Sequence, residues 1–244
     1  MIKKLSLPFI GLLLTISAYC QERPFTAGVS VGYIQNGYDA KNQISVLPFA
    51  LYDDARFYIE GAQAGVYAHK SSDDHIRFGL SYAGNDFEPQ DSQNLAQLDK
   101  RRTAILADTS YTKITPIGGV RLKLAHDISN THNGTQLTAT HLSRFTYGQA
   151  TIYPQLGVTW SDKRYNEYYY GVSAKESARS GIQSYTPKDS LSPFVAVSVN
   201  YALNDNIAII ASQRLEWLDS TQSDSPMVQD KLASTTRLGL GYRF

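Results

Sequence analysis

Thr236, Leu238, Leu240, Tyr242 and Phe244 would share one side of an extended segment at the end of this chain. Thr235, Arg237, Gly239, Gly241 and Arg243 would share the other, because successive side chains of a strand point to opposite faces. The same period of two recurs throughout. Ile207, Ile209, Ala211, Leu215 and Trp217 alternate with Ser212, Arg214 and Glu216, and Val195, Val197, Val199, Tyr201 and Leu203 with Ala196, Ser198, Asn200 and Ala202. Ile152, Leu156, Val158 and Trp160 alternate with Tyr153, Gln155, Thr159 and Ser161, and Val120, Leu122 and Leu124 with Arg121, Lys123 and Asp127. Helical periodicity is almost absent. Several polar faces carry charge in mid-strand. Burying such groups in an apolar core is costly, whereas a hydrated barrel interior tolerates them. The pattern therefore predicts an all-β, transmembrane, antiparallel up-and-down barrel. Arg121, Lys123, Arg144, Arg214, Glu216, Arg237 and Arg243 are its expected lumen charges.

Composition narrows the alternatives. A net charge of +1 argues against a nucleic-acid-binding protein. No segment after the N-terminus approaches the roughly 18–20 apolar residues of a membrane-spanning helix. Seventeen tyrosines with a mean hydropathy of −0.30 suit strands that are half apolar and half polar, with Tyr at the membrane boundaries. The first twenty residues read as an export signal: Lys3 and Lys4 are the basic start, Leu5 to Ile16 the apolar stretch, and Ser17-Ala18-Tyr19-Cys20 the cleavage region. Residues 21–244 would then form the barrel in outer-membrane lipid. Lipidation of Cys20 is the competing reading, disfavoured by the bulky Tyr19.

Connection lengths give the topology. Long connections fall at Asp219 to Ser234, Asn166 to Ser190, Ser129 to Gly134 and Asn85 to Leu98. Short turns lie between them, at Asn204-Asp205-Asn206, Tyr147-Gly148-Gln149, Lys113 to Pro116 and Ser71 to Asp74. Such alternation is that of bacterial barrels, with short periplasmic turns and longer outer loops. Eleven segments can be read directly: Phe25–Gln35, Gln43–Tyr52, Ala55–Lys70, His75–Gly84, Asp99–Thr112, Ile117–Ile128, Thr135–Thr146, Ala150–Lys163, Pro193–Leu203, Ile207–Leu218 and Thr235–Phe244. Both termini in the periplasm require an even number. Splitting Ala55–Lys70 near Gly61-Ala62-Gln63 gives twelve, and ten is the alternative, because the half-strands are short for a span of about 9–11 residues.

Candidate chemistry is sparse. His141 and Ser143 would share a strand face, the spacing at which imidazole can act as base for a hydroxyl, but no carboxylate on that strand orients the His. Two interfacial polar residues near a strand end are the better reading. The five histidines are scattered without zinc-like spacing. Asp53-Asp54 and Asp73-Asp74 read as turns. Ser173 to Gly181 is the one helix-like patch, with Ser173 as cap and Gly181 as stop. It lies in the longest expected loop, positioned to fold over or into the mouth. No catalytic, metal or cofactor site is predicted. Charges of both signs in so small a barrel favour a largely filled interior over a path for small anions.

YYYGVSAKESARSGIQSYTP (Tyr168 to Pro187) and SDSPMVQDKLAS (Ser223 to Ser234), followed by the terminal GLGYRF, resemble the MipA/OmpV family of outer-membrane proteins. VLPFALYDDARFYIEG (Val46 to Gly61) and LDKRRTAILAD (Leu98 to Asp108) fit it at matching order along the chain. The resemblance implies location in the outer membrane. It also implies a scaffold that brings a lytic murein transglycosylase together with a murein synthase. A narrow channel for small polar or anionic solutes, or an adhesin using the long loops, are the alternatives. It further implies that the barrel-assembly machinery reads Leu240, Tyr242 and Phe244 as its terminal signal.

Overall fold

A computed structural model describes residues 25–244, so the expected signal peptide lies outside the described residues. The chain forms thirteen β-segments in sequence order: β1 (Thr26–Gln35), β2 (Gln43–Asp53), β3 (Phe57–Glu60), β4 (Gln63–Lys70), β5 (Asp74–Ala83), β6 (Ala104–Thr115), β7 (Gly118–Asp127), β8 (Thr135–Leu142), β9 (Phe145–Tyr147), β10 (Ala150–Ser161), β11 (Ser190–Ala202), β12 (Ile207–Trp217) and β13 (Leu232–Arg243). Neighbours pair antiparallel, and β13 returns to pair with β1 from Thr26↔Arg243 to Gln35↔Ser234. Both β8 and β9 pair with β10, so they are two parts of one wall strand. The result is a closed barrel of twelve antiparallel strands. Closure leaves no end strand of the sheet without a neighbour, which a bilayer requires because it offers backbone groups no hydrogen bonds.

The alternation sorts side chains as the sequence suggests. Val29, Val31, Leu238 and Leu240 are each more than half or half exposed on the outer face, while Asp108, Ser110 and Thr112 on the other face are buried. The split of the Ala55–Lys70 segment falls where expected: β3 ends at Glu60 and β4 begins at Gln63. Gly61 sits at φ +64° in the two-residue turn, a conformation glycine reaches without strain.

Local differences have identifiable causes. The expected Lys113 to Pro116 turn is shorter, because Lys113, Ile114 and Thr115 go on pairing with Val120, Gly119 and Gly118. The expected Thr135–Thr146 strand is interrupted at Ser143-Arg144. There Pro154, on the facing strand, has no N–H to offer and instead accepts a bond from Ser143 N at 3.0 Å. The expected Ala150–Lys163 strand stops at Ser161, because Asp162 caps a helix, α1 (Lys163–Tyr170), by accepting from Tyr165 N. Two further helices lie at the loop end, α2 (Ala174–Ser180) and α3 (Ser220–Ser223).

Candidate functional site

Four loops that leave the wall at separate places meet in one core. Tyr38 comes from the β1–β2 loop, Phe87, Leu95 and Leu98 from β5–β6, Tyr165, Tyr169, Tyr170 and Val172 from β10–β11, and Leu218 and Met227 from β12–β13. These strands are spread around the ring, so a common core can form only across the opening. Tyr169, Tyr170 and Met227 are 0–1 % exposed. The barrel is thus capped at its loop end by an interior like that of a soluble domain.

Polar contacts tie the cap together. Tyr38 donates to Tyr169 O at 3.0 Å, Asn85 to Tyr170 Oη at 2.7 Å, and Tyr169 to Arg102 O at 2.9 Å. Asn166, fully buried, donates to Lys188 O and accepts from Gln222 Nε2, which joins the β10–β11 and β12–β13 loops. Glu176 serves twice. It completes a capping box with Ser173 at the start of α2, and it accepts from Arg101 Nη2 at 2.8 Å and from Asp99 N at 2.9 Å. Burial alone would raise its pKa. Hydrogen bonds from the Asp99 and Ser173 N–H groups and the Ser173 hydroxyl, with the Arg101 charge, outweigh that and lower it to about 2. The helix-like patch therefore folds with the expected cap and stop, Gly181 being left-handed at φ +74°. Helix α1 was not legible: KRYNEYYY has no apolar stripe, and its tyrosines suit strands equally well.

Below the cap the interior divides. Along β3 to β7, Arg77 Nη1 donates to Glu60 at 2.9 Å and lies over the Tyr58 ring. Asp108, whose side chain is 0 % exposed, accepts from Gln63 at 2.8 Å and Ser81 at 3.0 Å, with Lys123 Nζ 3.5 Å away. Lys123 also donates to Gln63 Oε1, and Arg121 Nε to Thr112 Oγ1. Along β12, β13, β1 and β2 the interior is emptier. Gly28 pairs with Gly241, and a Cβ at Gly28 would stand 2.6 Å from Phe49 Cζ, so the glycines seat that ring. Arg214 pairs with Glu216 at 2.5 Å and stacks on Phe194. The Arg237 side chain has no ion pair or hydrogen bond among the described residues, and Arg243 Nε is buried without a partner among them. Arg144 lies exposed in the break between β8 and β9 and takes no part in the alternation.

At the turn end, Tyr242 and Phe244 are in edge contact at 5.0 Å, and Phe244 lies against Phe25. Leu240 faces outward opposite Val29. His141 Nε2 is 3.1 Å from Ser143 Oγ, and Ser143 in turn donates to Ile117 O. The hydroxyl proton is thereby engaged, so His141 acts as donor to Ser143 rather than as its base. Both lie beside the β6–β7 turn, at the strand-end boundary.

A family model described as "MltA-interacting protein MipA" matches residues 27–244. The MltA-interacting protein of Escherichia coli K12 is 32% identical over 246 residues, covering 99% of each chain. The putative outer membrane protein YiaT of the same organism is 28% identical, over 98% of this chain and 96% of its own. The 24 kDa outer membrane protein of Pasteurella multocida is 24% identical, over 96% and 95%. With its closed twelve-strand wall and this match along its length, the chain is an outer-membrane barrel that belongs to the MltA-interacting protein MipA family.

Proposed function

We propose that the barrel works as a structural and interaction protein, presenting its periplasmic rim to murein-remodelling enzymes, a lytic murein transglycosylase first among them. The observation that carries this reading is the aromatic cap. A mouth closed by a buried core and braced by Arg101–Glu176 suits a rigid body held in the membrane better than an open conduit. The name of the Escherichia coli relative supports the choice of partner. Short turns offer little surface, so a partner must grip several together. Ile117 (78 % exposed) and Tyr147 (86 %) stand on neighbouring turns, linked through the Ser143–Ile117 bond, and give such a grip an aromatic and an aliphatic anchor.

The test is site-specific photocrosslinking from positions 117 and 147 in intact envelopes. Crosslinks to a lytic transglycosylase, lost on Ile117→Asp, are the expected result. Absence of crosslinks from every periplasmic turn would overturn the reading. A narrow anion path is the second reading, favoured by the unpartnered Arg237. Single-channel conductance in planar bilayers separates the two.

A further inference from the structure

The wall is incomplete on one side. Strand β2 runs from Gln43 to Asp53, but β3 pairs only with Leu51, Tyr52 and Asp53. The β3–β4 hairpin turns at Gly61-Ala62, where Gly61 N donates to Ala50 O and Ala62 O accepts from Tyr82 N. Four residues of β3 fall far short of the about 9–11 that cross a bilayer. Above the hairpin tip, residues 44–49 of β2 pair with β1 on one side and with no strand on the other among the described residues. The loop end closes again where Gln43 Nε2 donates to Asp86 O. A window results, framed by β2, the hairpin tip and the end of β5.

Backbone parity shows that this edge is built. The Ala50 carbonyl points across the β3 side, and β2 pairs with β1 without a register shift. Residues 44, 46 and 48 therefore turn their backbone groups to the window. Position 48 is proline, which has no N–H to leave unpaired there. Ile44 (74 % exposed) and Val46 (64 %) point outward, which places the window within the apolar belt. Open backbone at such depth persists only where it lines a hydrated or occupied cavity.

A cavity of about 260 Å³ reaches this frame from inside. Its lining joins the window residues Pro48, Gly61 and Ala62 to Leu47, Phe49 and Arg237 in the interior. Leu47 points inward by register, opposite Ser30, yet is 45 % exposed: an apolar side chain facing open space. The volume is below the range of about 300–1,000 Å³ usual for drug-sized ligands, so it suits one chain, not a two-chain lipid. The single cation in that lining, Arg237, has no carboxylate partner among the described residues.

We propose that this window is a lateral portal, through which a single-chain fatty acid passes from the membrane into the barrel. Its hydrocarbon lies along Leu47, Phe49, Leu51 and Ile210, and its carboxylate pairs with Arg237. The site is independent of the periplasmic rim and so of the scaffold reading.

The test places a tryptophan reporter at the cavity (Phe49→Trp), with Trp160 and Trp217 replaced by Phe, in phosphatidylcholine vesicles. A brominated laurate and its methyl ester, which reach the bilayer alike but differ in charge, are the quenchers. Quenching should need at least about tenfold less laurate than ester, as a charge-assisted pair to arginine implies. Arg237→Gln should abolish that preference while heat-modifiable folding persists. Equal quenching by acid and ester, or undiminished preference in Arg237→Gln, would overturn the proposal. If that variant does not fold, acidification replaces it. The preference in the unmutated cavity must vanish once laurate is protonated, and its persistence would equally refute the portal.

Discussion

The two halves of the barrel interior solve the same problem in opposite ways. Along β3 to β7, nearly every charge has a partner: Arg77 with Glu60, Lys123 with Asp108, and Gln63 and Ser81 closing the remaining valences of Asp108. Along β12, β13, β1 and β2, four glycines (Gly28, Gly32, Gly239, Gly241) line the interior, Arg214 pairs only with Glu216 of its own strand, and Arg237 and Arg243 have no carboxylate partner among the described residues. The first half is cross-braced, because its polar groups bond one another from strand to strand. The second is held by backbone pairing and the Phe49 ring. Interior charge is thus mostly cross-linked between strands in one sector and mostly left open in the other, and alternation along a strand cannot distinguish them.

The largest effect expected belongs to the sparse half, whose closure rests on β13. Leu240, Tyr242 and Phe244 are proposed as the signal read at assembly. Deleting Phe244 should then remove most heat-modifiable, folded protein from the outer-membrane fraction. Normal levels there would end that assignment. The next effect breaks the dense half. Asp108→Ala strands Lys123, Gln63 and Ser81 together. Removing one partner of a buried pair costs about 3–5 kcal/mol, and the lower end applies because Lys123 is part exposed. Denaturant unfolding in micelles measures it.

How much of this contrast the sequence revealed depends on the range of the interaction. Eleven segments were legible because alternation is local, and the twelfth followed from the even count that two periplasmic termini require, with the split placed near Gly61-Ala62. The cap on α2 was legible because Ser173, Glu176 and Gly181 stand within one short segment. Helix α1 was not, since its tyrosines become helical only by burial against Tyr38 and His132, brought from distant loops. The window was not legible either. It arises from the height at which β3 stops against β2, and its only local trace is Pro48 in mid-strand, beside half-strands too short to span.

The cap bridges both halves, so acid can release it and ask which half depends on it. Glu176 has a folded pKa of about 2, below its unfolded value near 4.3, so its contribution is complete above the unfolded value and is lost as pH falls from there towards 2. About 3 kcal/mol is at stake. Amide hydrogen-exchange protection over residues 174–181 should fall steeply below pH 4, and Glu176→Gln should bring that loss of protection to neutral pH. An unchanged protection profile would show that aromatic packing alone holds the cap. A somewhat smaller effect tests the glycine seat. A Cβ at Gly28 meets Leu240 O at 2.1 Å and Gly241 Cα at 2.8 Å, both backbone. Gly28→Val should therefore cost about 1–3 kcal/mol of unfolding free energy, as overpacking does. A wild-type midpoint would mean that the sparse half yields by moving its wall.

The smallest effect is the sharpest discriminator. Arg237→Gln removes a full charge from the interior, as Asp108→Ala does, but among the described residues it leaves no group behind that has lost a partner. Destabilisation on removing a buried charge comes mainly from the partner stranded by it. Without one, unfolding free energy should change by less than about 0.5 kcal/mol, the range of substitutions that touch nothing specific. The same change made at Lys123 would leave Asp108, at 0 % exposure, uncompensated and should cost several times more. If Arg237→Gln instead destabilised the barrel as strongly as Lys123→Gln, the guanidinium would be acting as a structural pair of the kind that fills the opposite half. The two halves would then differ in which partner they use, and no longer in whether they have one.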